Sequence, residues 1–203
     1  MKGSTKRRIP FSLLTPHSSF LLTLLCACLL GVVTLSAQTQ LGADIDGEGS
    51  NEVSGYSVSL SPDGSTVAIG AIGNDDNGFA AGHVQVYKLI SGVWTQQGGD
   101  INGEAANDNS GYWVSLSSDG STVAIGAQFN DGNGANSGHV RVYKIISGVW
   151  TQQGADINGE AGADESGTSV SLSSDGSTVA IGAPYNDGNG SNSGHVRVYK
   201  LTS

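Results

Sequence analysis

Beyond residue 37 this chain has no cysteine: its only two, Cys26 and Cys28, lie before that point. Disulfides cannot staple the remainder, so packing and backbone pairing have to hold its fold. Basic residues are scarce too. Lys2, Lys6, Arg7 and Arg8 are four of the nine, so residues 38–203 carry five basic residues against all 18 acidic ones, a net charge of −13. A surface this acidic repels phosphate backbones, which argues against nucleic acid as a partner. It suits the solubility of an exported protein and, equally, the attraction of cations. No segment shows a helical period of apolar residues long enough to build a helix. Catalytic motifs are also lacking: there is no nucleophile motif, no phosphate-binding glycine loop before a helix and no carboxylate pair set apart by the sequence. No catalytic residue is assigned, and a non-enzymatic protein is expected.

What is present begins with a leader. The basic residues Lys2 to Arg8 precede an apolar run from Phe20 to Leu35, and Leu35-Ser36-Ala37 stands before Gln38. This is the pattern of a secretory signal peptide over residues 1–37, with cleavage after Ala37. The alternatives are a membrane anchor, for which 16 apolar residues fall short of the ~20 that span a bilayer, and a lipoprotein leader using Cys28. The reading taken is a secreted or outer-surface protein with no membrane span in its mature chain.

The rest is a repeat. Asp44, Asp100 and Asp156 coincide at a spacing of 56 residues, as do His83, His139 and His195, with no insertion or deletion between copies. A period near this length signals an array or a propeller. In each copy an alternating stretch such as Tyr56-Ser57-Val58-Ser59-Leu60 ends in an Asp-Gly hairpin turn, Pro62-Asp63-Gly64, Ser118-Asp119-Gly120 or Ser174-Asp175-Gly176. A second strand, Thr66 to Ala71 in the first copy, follows at once. It is small on one face (Ala68, Gly70) and branched on the other (Val67, Ile69), which predicts a strand sandwiched between neighbouring sheets and the most buried of its unit. After a loop rich in Asn, Asp and Gly, best seen from Asn130 to Gly138, come a third strand, His139 to Ile145, a turn at Ser147-Gly148 and a fourth strand, Val149 to Gln153. Four short antiparallel strands per unit predict an all-β fold, a β-propeller array of three four-stranded blades of 56 residues. A parallel β-helix has shorter coils and an independent sandwich needs more strands. The expected blades are 38–98 with an N-terminal strand, 99–154, and 155–203 without its last strand. Thr39-Gln40 stand 56 residues before Thr95-Gln96, so a strand at the start could complete the last blade. Three blades turn too little to close, so the array is expected to be incomplete, either part of a larger ring or a homo-oligomer.

These residues resemble FG-GAP repeats, which form the propeller of integrin α subunits and of many bacterial surface proteins. The match runs through Gly55-Tyr56-Ser57-Val58, Val67-Ala68-Ile69-Gly70-Ala71 and Gly82-His83-Val84-Gln85-Val86-Tyr87, with Gly182-Ala183-Pro184 intact in the third copy. Ser54, Ser110 and Ser166 stand where the family has phenylalanine, and Ile72 and Gln128 replace the proline. The resemblance implies calcium ligands between the first and second strands in metal-binding members. Here that connection is a short turn with one carboxylate each, Asp63, Asp119 and Asp175, too few for the six to eight oxygens calcium takes. The turn also resembles that of WD40-type blades.

Other candidates are read as structural. The loops Asn74 to Gly78, Asn130 to Gly134 and Asn186 to Gly190 hold many oxygens but lack a bidentate terminal glutamate, so no metal site and no cofactor is assigned. The acidic stretches Asp44 to Glu48, Asp100 to Glu104 and Asp156 to Glu160 are expected to carry the chain from blade to blade. His83, His139 and His195 are spread around a ring and are expected to hydrogen-bond to the loop. Trp94 and Trp150 cover blade edges. Trp113, held by Ser57 and Ser169 in the other copies, is the best candidate for a non-repeated contact. The expected function is an adhesion or binding scaffold for a protein or glycan at the cell surface. The alternative is a carbohydrate-binding or accessory part of a secreted hydrolase.

Overall fold

A computed structural model describes residues 38–201, and the leader expected over residues 1–37 lies outside them. The described residues form strands, turns and irregular segments. The first unit contains β1 (Ser54–Leu60), β2 (Thr66–Ala71), β3 (His83–Ile90), β4 (Val93–Gln96) and β5 (Ile101–Asn102). The second repeats it as β6 (Trp113–Leu116), β7 (Thr122–Ala127), β8 (His139–Ile146), β9 (Val149–Gln152) and β10 (Ile157–Asn158). The third holds β11 (Ser169–Leu172), β12 (Thr178–Ala183) and β13 (His195–Lys200). Each unit is one antiparallel sheet in sequence order, β1-β2-β3-β4, β6-β7-β8-β9 and β11-β12-β13.

The turns explain the registers. After β1, Gly64 N–H donates to the Ser61 carbonyl at 2.8 Å, and glycine takes the positive φ of 71° that the last turn position needs. Between β3 and β4 the two-residue loop Ser91-Gly92 has φ of 50° and 83°, and Ser147-Gly148 has 52° and 82°, the twist that a tight hairpin favours. The acidic stretches do more than connect. Ile101 and Asn102 pair with Val84 and His83, and Ile157 and Asn158 with Val140 and His139, so β5 and β10 prolong the fourth strand after a kink. The equivalent residues 44–48 have no preceding sheet to pair with among the described residues, and no strand forms between residues 38 and 53.

The core lies between sheets. Ala68, Val84, Val86 and Ile101 of the first unit pack on Val114, Leu116, Val123 and Ile125 of the second. The same positions recur in the next interface, where Ala124, Val140 and Val142 meet Val170, Leu172, Val179 and Ile181. Second strands are indeed the sandwiched ones, and all six residues of β7 are buried. The first strands β1, β6 and β11 crowd against one another, and glycine permits it: a Cβ on Gly126 would collide with the Gly167 carbonyl oxygen of the next unit, as one on Gly70 would with that of Gly111. Ser59 Oγ accepts from Leu116 N–H at 3.0 Å and Ser115 Oγ from Leu172 N–H at 2.9 Å, tying each first strand to the next.

Candidate functional site

The repeat places most of its polar residues where they hold the fold. Asp63 Oδ1 accepts from the Ser61 hydroxyl (2.6 Å) and Ser65 N–H (3.0 Å), and Oδ2 from the Ser65 hydroxyl (2.8 Å). Those bonds, the Ser61 hydroxyl first, lower its pKa to about 2, and the corresponding bonds from Ser173 and Ser177 do the same for Asp175. Asp119 is lowered for the same reason, with Ser117 as the main donor. Both oxygens of each turn carboxylate are thus spent on the turn. The Asn-Asp-Gly loops of the second and third units are likewise closed on themselves. Buried Asn130 donates to Asp108 (2.8 Å) and accepts from Gly132 N–H (2.8 Å), while Asp131 accepts from Asn136 N–H (2.8 Å). Asn186, Asp164 and Asp187 repeat the pattern.

Trp150 staples the second unit to the first, and Trp94 ties the first unit's fourth strand to its N-terminal segment. Trp150 Nε1 donates to the Gln97 carbonyl at 2.6 Å and its ring packs on the first interface, and Trp94 Nε1 donates to the Leu41 carbonyl at 2.8 Å. Ser110 and Ser166, at the family's phenylalanine position, are buried with hydroxyls that have no partner among the described residues.

The histidines depart from expectation. His83 and His139 are 1% exposed, and the Nδ1 of each is buried with no hydrogen-bond partner among the described residues, so no bond to the loop forms there. The second and third histidines face carboxylates instead: His139 Nδ1 lies 3.8 Å from Glu104 Oε2, and His195 Nδ1 lies 3.6 Å from Glu160 Oε2. Burial, and then the Arg141 guanidinium, press the pKa of His139 down to about 4. Burial raises that of Glu104, which Arg141 approaches at 3.4 Å.

What stands out from the repeat is aromatic. Tyr56, Tyr112 and Trp113, with Ser57, Val58 and Val114, line a groove of about 420 Å³ where the first strands of the first two units meet. The Tyr56 and Tyr112 rings lie 5.1 Å apart at 47°, and Tyr56 and Trp113 are each 45% exposed. In the third unit the same positions are Thr168 and Ser169, and Thr168 turns its hydroxyl to the Glu165 carbonyl at 2.7 Å. Sequence reading singled out Trp113 and missed its two tyrosine neighbours. Their signal was a tyrosine kept in two copies and lost in the third, and only the packing of one sheet on the next brings all three together.

Repeated antiparallel sheets of this order, packed face to face with their first strands together, define an all-β propeller-type scaffold. The FG-GAP repeat pattern matches residues 39–87, 102–143 and 156–199, and the chain belongs to that family. No curated protein matches it. Among solved structures it is similar to hydrazine synthase of Kuenenia stuttgartiensis (14% identity, TM-score 0.47, covering 80% of this chain and 36% of that one). It is also similar to a putative 6-phosphogluconolactonase from Bacteroides uniformis (18%, 0.41, 72% and 40%) and to the periplasmic gluconolactonase of Pseudomonas aeruginosa (19%, 0.44, 71% and 38%). The chain therefore spans well under half the length of these structures.

Proposed function

We propose that this is a non-enzymatic binding scaffold, acting outside the cell or at its surface, that meets a protein or glycan ligand on the groove of Tyr56, Tyr112 and Trp113. The carrying observation is that exposed aromatics cluster where the units cease to repeat. Rigid flat rings give large contact area at little conformational cost, and a fixed scaffold presents them without reorganisation. The remaining polar side chains are largely engaged in turns, loops and unit-to-unit bonds, which supports a scaffold over a catalyst. The leader over residues 1–37 supports export.

Carbohydrate binding is the second reading, favoured by tyrosine and tryptophan rings standing beside the Ser57 hydroxyl. The test is binding of labelled full-length protein to whole cells and to a glycan array, for the wild type and for Trp113→Ser, the residue the first unit carries there. Loss of saturable cell binding with unchanged thermal unfolding supports the groove. Unchanged binding overturns it. Competition by a free sugar selects the carbohydrate reading.

The same proposal extends to the two end faces. Val58 and Leu60 are 65% and 59% exposed, and Val196 and Val198 are 68% and 65% exposed. Their counterparts one unit along, Val114 and Leu116, and one unit back, Val140 and Val142, are buried against neighbouring sheets. The occupant these faces fit is a second copy of this chain, the third unit of one against the first unit of the other.

A further inference from the structure

We infer that the first unit holds a divalent transition-metal ion, of the zinc class, on Asp76, His83 and Asp100. One ring nitrogen of His83 and one carboxylate oxygen from each aspartate lie within 4.8 Å of one another. His83 is 1% exposed, and its Nδ1 is out of reach of solvent with no hydrogen-bond partner among the described residues. A buried ring nitrogen without a partner is unfavourable, and bonding to a cation removes that cost. In its counterpart His139 the unpartnered nitrogen, Nδ1, is the one that lies 3.8 Å from a carboxylate, that of Glu104, and the repeat assigns the same role to Nδ1 of His83. Asp100 is already oriented: its Oδ1 accepts from Gln85 Nε2 at 2.9 Å and Gln96 Nε2 at 2.6 Å, the outer support that metal-ligating carboxylates use.

The other units provide an internal comparison. Where the first has Gln85, they have Arg141 and Arg197, and where it has Asp76, they have Gly132 and Gly188. Arg141 sets its guanidinium 3.4 Å from Glu104 and donates to the Asn102 carbonyl at 2.8 Å, and Arg197 stands 3.7 Å from Glu160. The second unit holds an equivalent trio, Glu104, His139 and Asp156, but there, as in the third unit, a guanidinium already supplies positive charge to the acids. The first unit has lost that cation and gained a carboxylate at one place. Gln85, which is neutral, donates to both Glu48 (2.9 Å) and Asp100 (2.9 Å) and cannot balance Glu48, Asp76 and Asp100. An exchangeable ion would do so.

The donor set selects the ion. One imidazole and two carboxylates, with remaining positions open to water, suit zinc and its first-row neighbours, whereas calcium takes six to eight oxygens. Bonds of ~2.0–2.1 Å place tetrahedral ligands about 3.4 Å apart, so ligand atoms that lie within 4.8 Å of one another have to close by no more than about 1.4 Å. Asp76 is exposed on the β2–β3 loop and free to make that movement.

The test is calorimetric titration of the chelator-treated full chain, with Cys26→Ser and Cys28→Ser to remove thiol ligands, against zinc chloride and against calcium chloride. Expected are one equivalent of bound zinc, a zinc-dependent rise in the thermal midpoint, and little response to calcium. Asp76→Asn should weaken zinc binding about 10- to 100-fold, the usual range for disturbing such a site. Gln85→Arg installs the residue that the other two units tolerate, so it folds. It should abolish zinc binding while raising the midpoint of the metal-free protein. Absence of saturable zinc binding in the parent protein, or binding unchanged in both variants, overturns the inference.

Discussion

Val53 takes a left-handed backbone, φ 56°, at a position the later units give to Asn109 (54°) and Glu165 (51°). That region costs an ordinary L residue roughly 1–2 kcal/mol, more for a β-branched one, and asparagine much less. The Val53 side chain is 52% exposed, so its removal forfeits little packing. Val53→Asn is expected to stabilise the fold by about 1 kcal/mol, which for a chain of this size raises the thermal midpoint by about 2–4 °C. Calorimetry returning an equal or lower midpoint would show that the strain is relieved elsewhere in the loop. At this scale the sequence was readable where a residue acts within its own turn, as Asp63 does between Ser61 and Ser65. It was silent where the environment comes from afar. The burial of His83 and His139 comes from parts of the chain that only folding brings together, with Glu104 reaching His139 from 35 residues upstream, and Tyr56 reads as one more alternating strand residue until Tyr112 is laid against it.

Gly126 shows why the second strand of each unit keeps its small residue. A Cβ there would overlap backbone of the next unit, the Gly167 carbonyl, which cannot move without shifting a strand. At Gly182, the same place in the third unit, a Cβ meets chiefly the Ser169 hydroxyl, which can rotate away. Gly126→Ala is therefore expected to destabilise by about 2–3 kcal/mol and Gly182→Ala by less than half as much. Urea unfolding of the two variants checks this, and equal losses would mean that the penalty is local to the strand and not set by the neighbouring sheet. Strand limits were legible because alternation, hairpin turns and three agreeing copies all pointed to the same boundaries; predicted and observed second strands share Thr66 to Ala71. The prolongation of the fourth strand by Ile101-Asn102 was not. Two residues have no measurable period, and their partners, Val84 and His83, lie almost twenty residues upstream across a hairpin.

For the molecule as a whole, the head-to-tail association of copies proposed above makes a direct prediction. A valine or leucine buried in such an interface contributes about 1.5–3 kcal/mol, so four exposed aliphatic side chains give a substantial incentive to pair. Leu60→Glu spoils one face and Val198→Glu the other. Light scattering after size exclusion should find the wild type self-associated at micromolar concentration, each variant dissociated, and an equimolar mixture of the two re-forming dimers through the one intact pair of faces. A wild-type monomer would refute the association. The interface also bears on how such a chain is inherited. Because the seam between the first and second units uses the same positions as the seam between the second and third, recombination in register between copies can insert or excise one period of 56 codons and leave every remaining seam matched. A chain with one unit more or fewer would keep the same packing at each remaining seam, with differences such as those at 85, 112 and 113 carried along by whichever copy holds them.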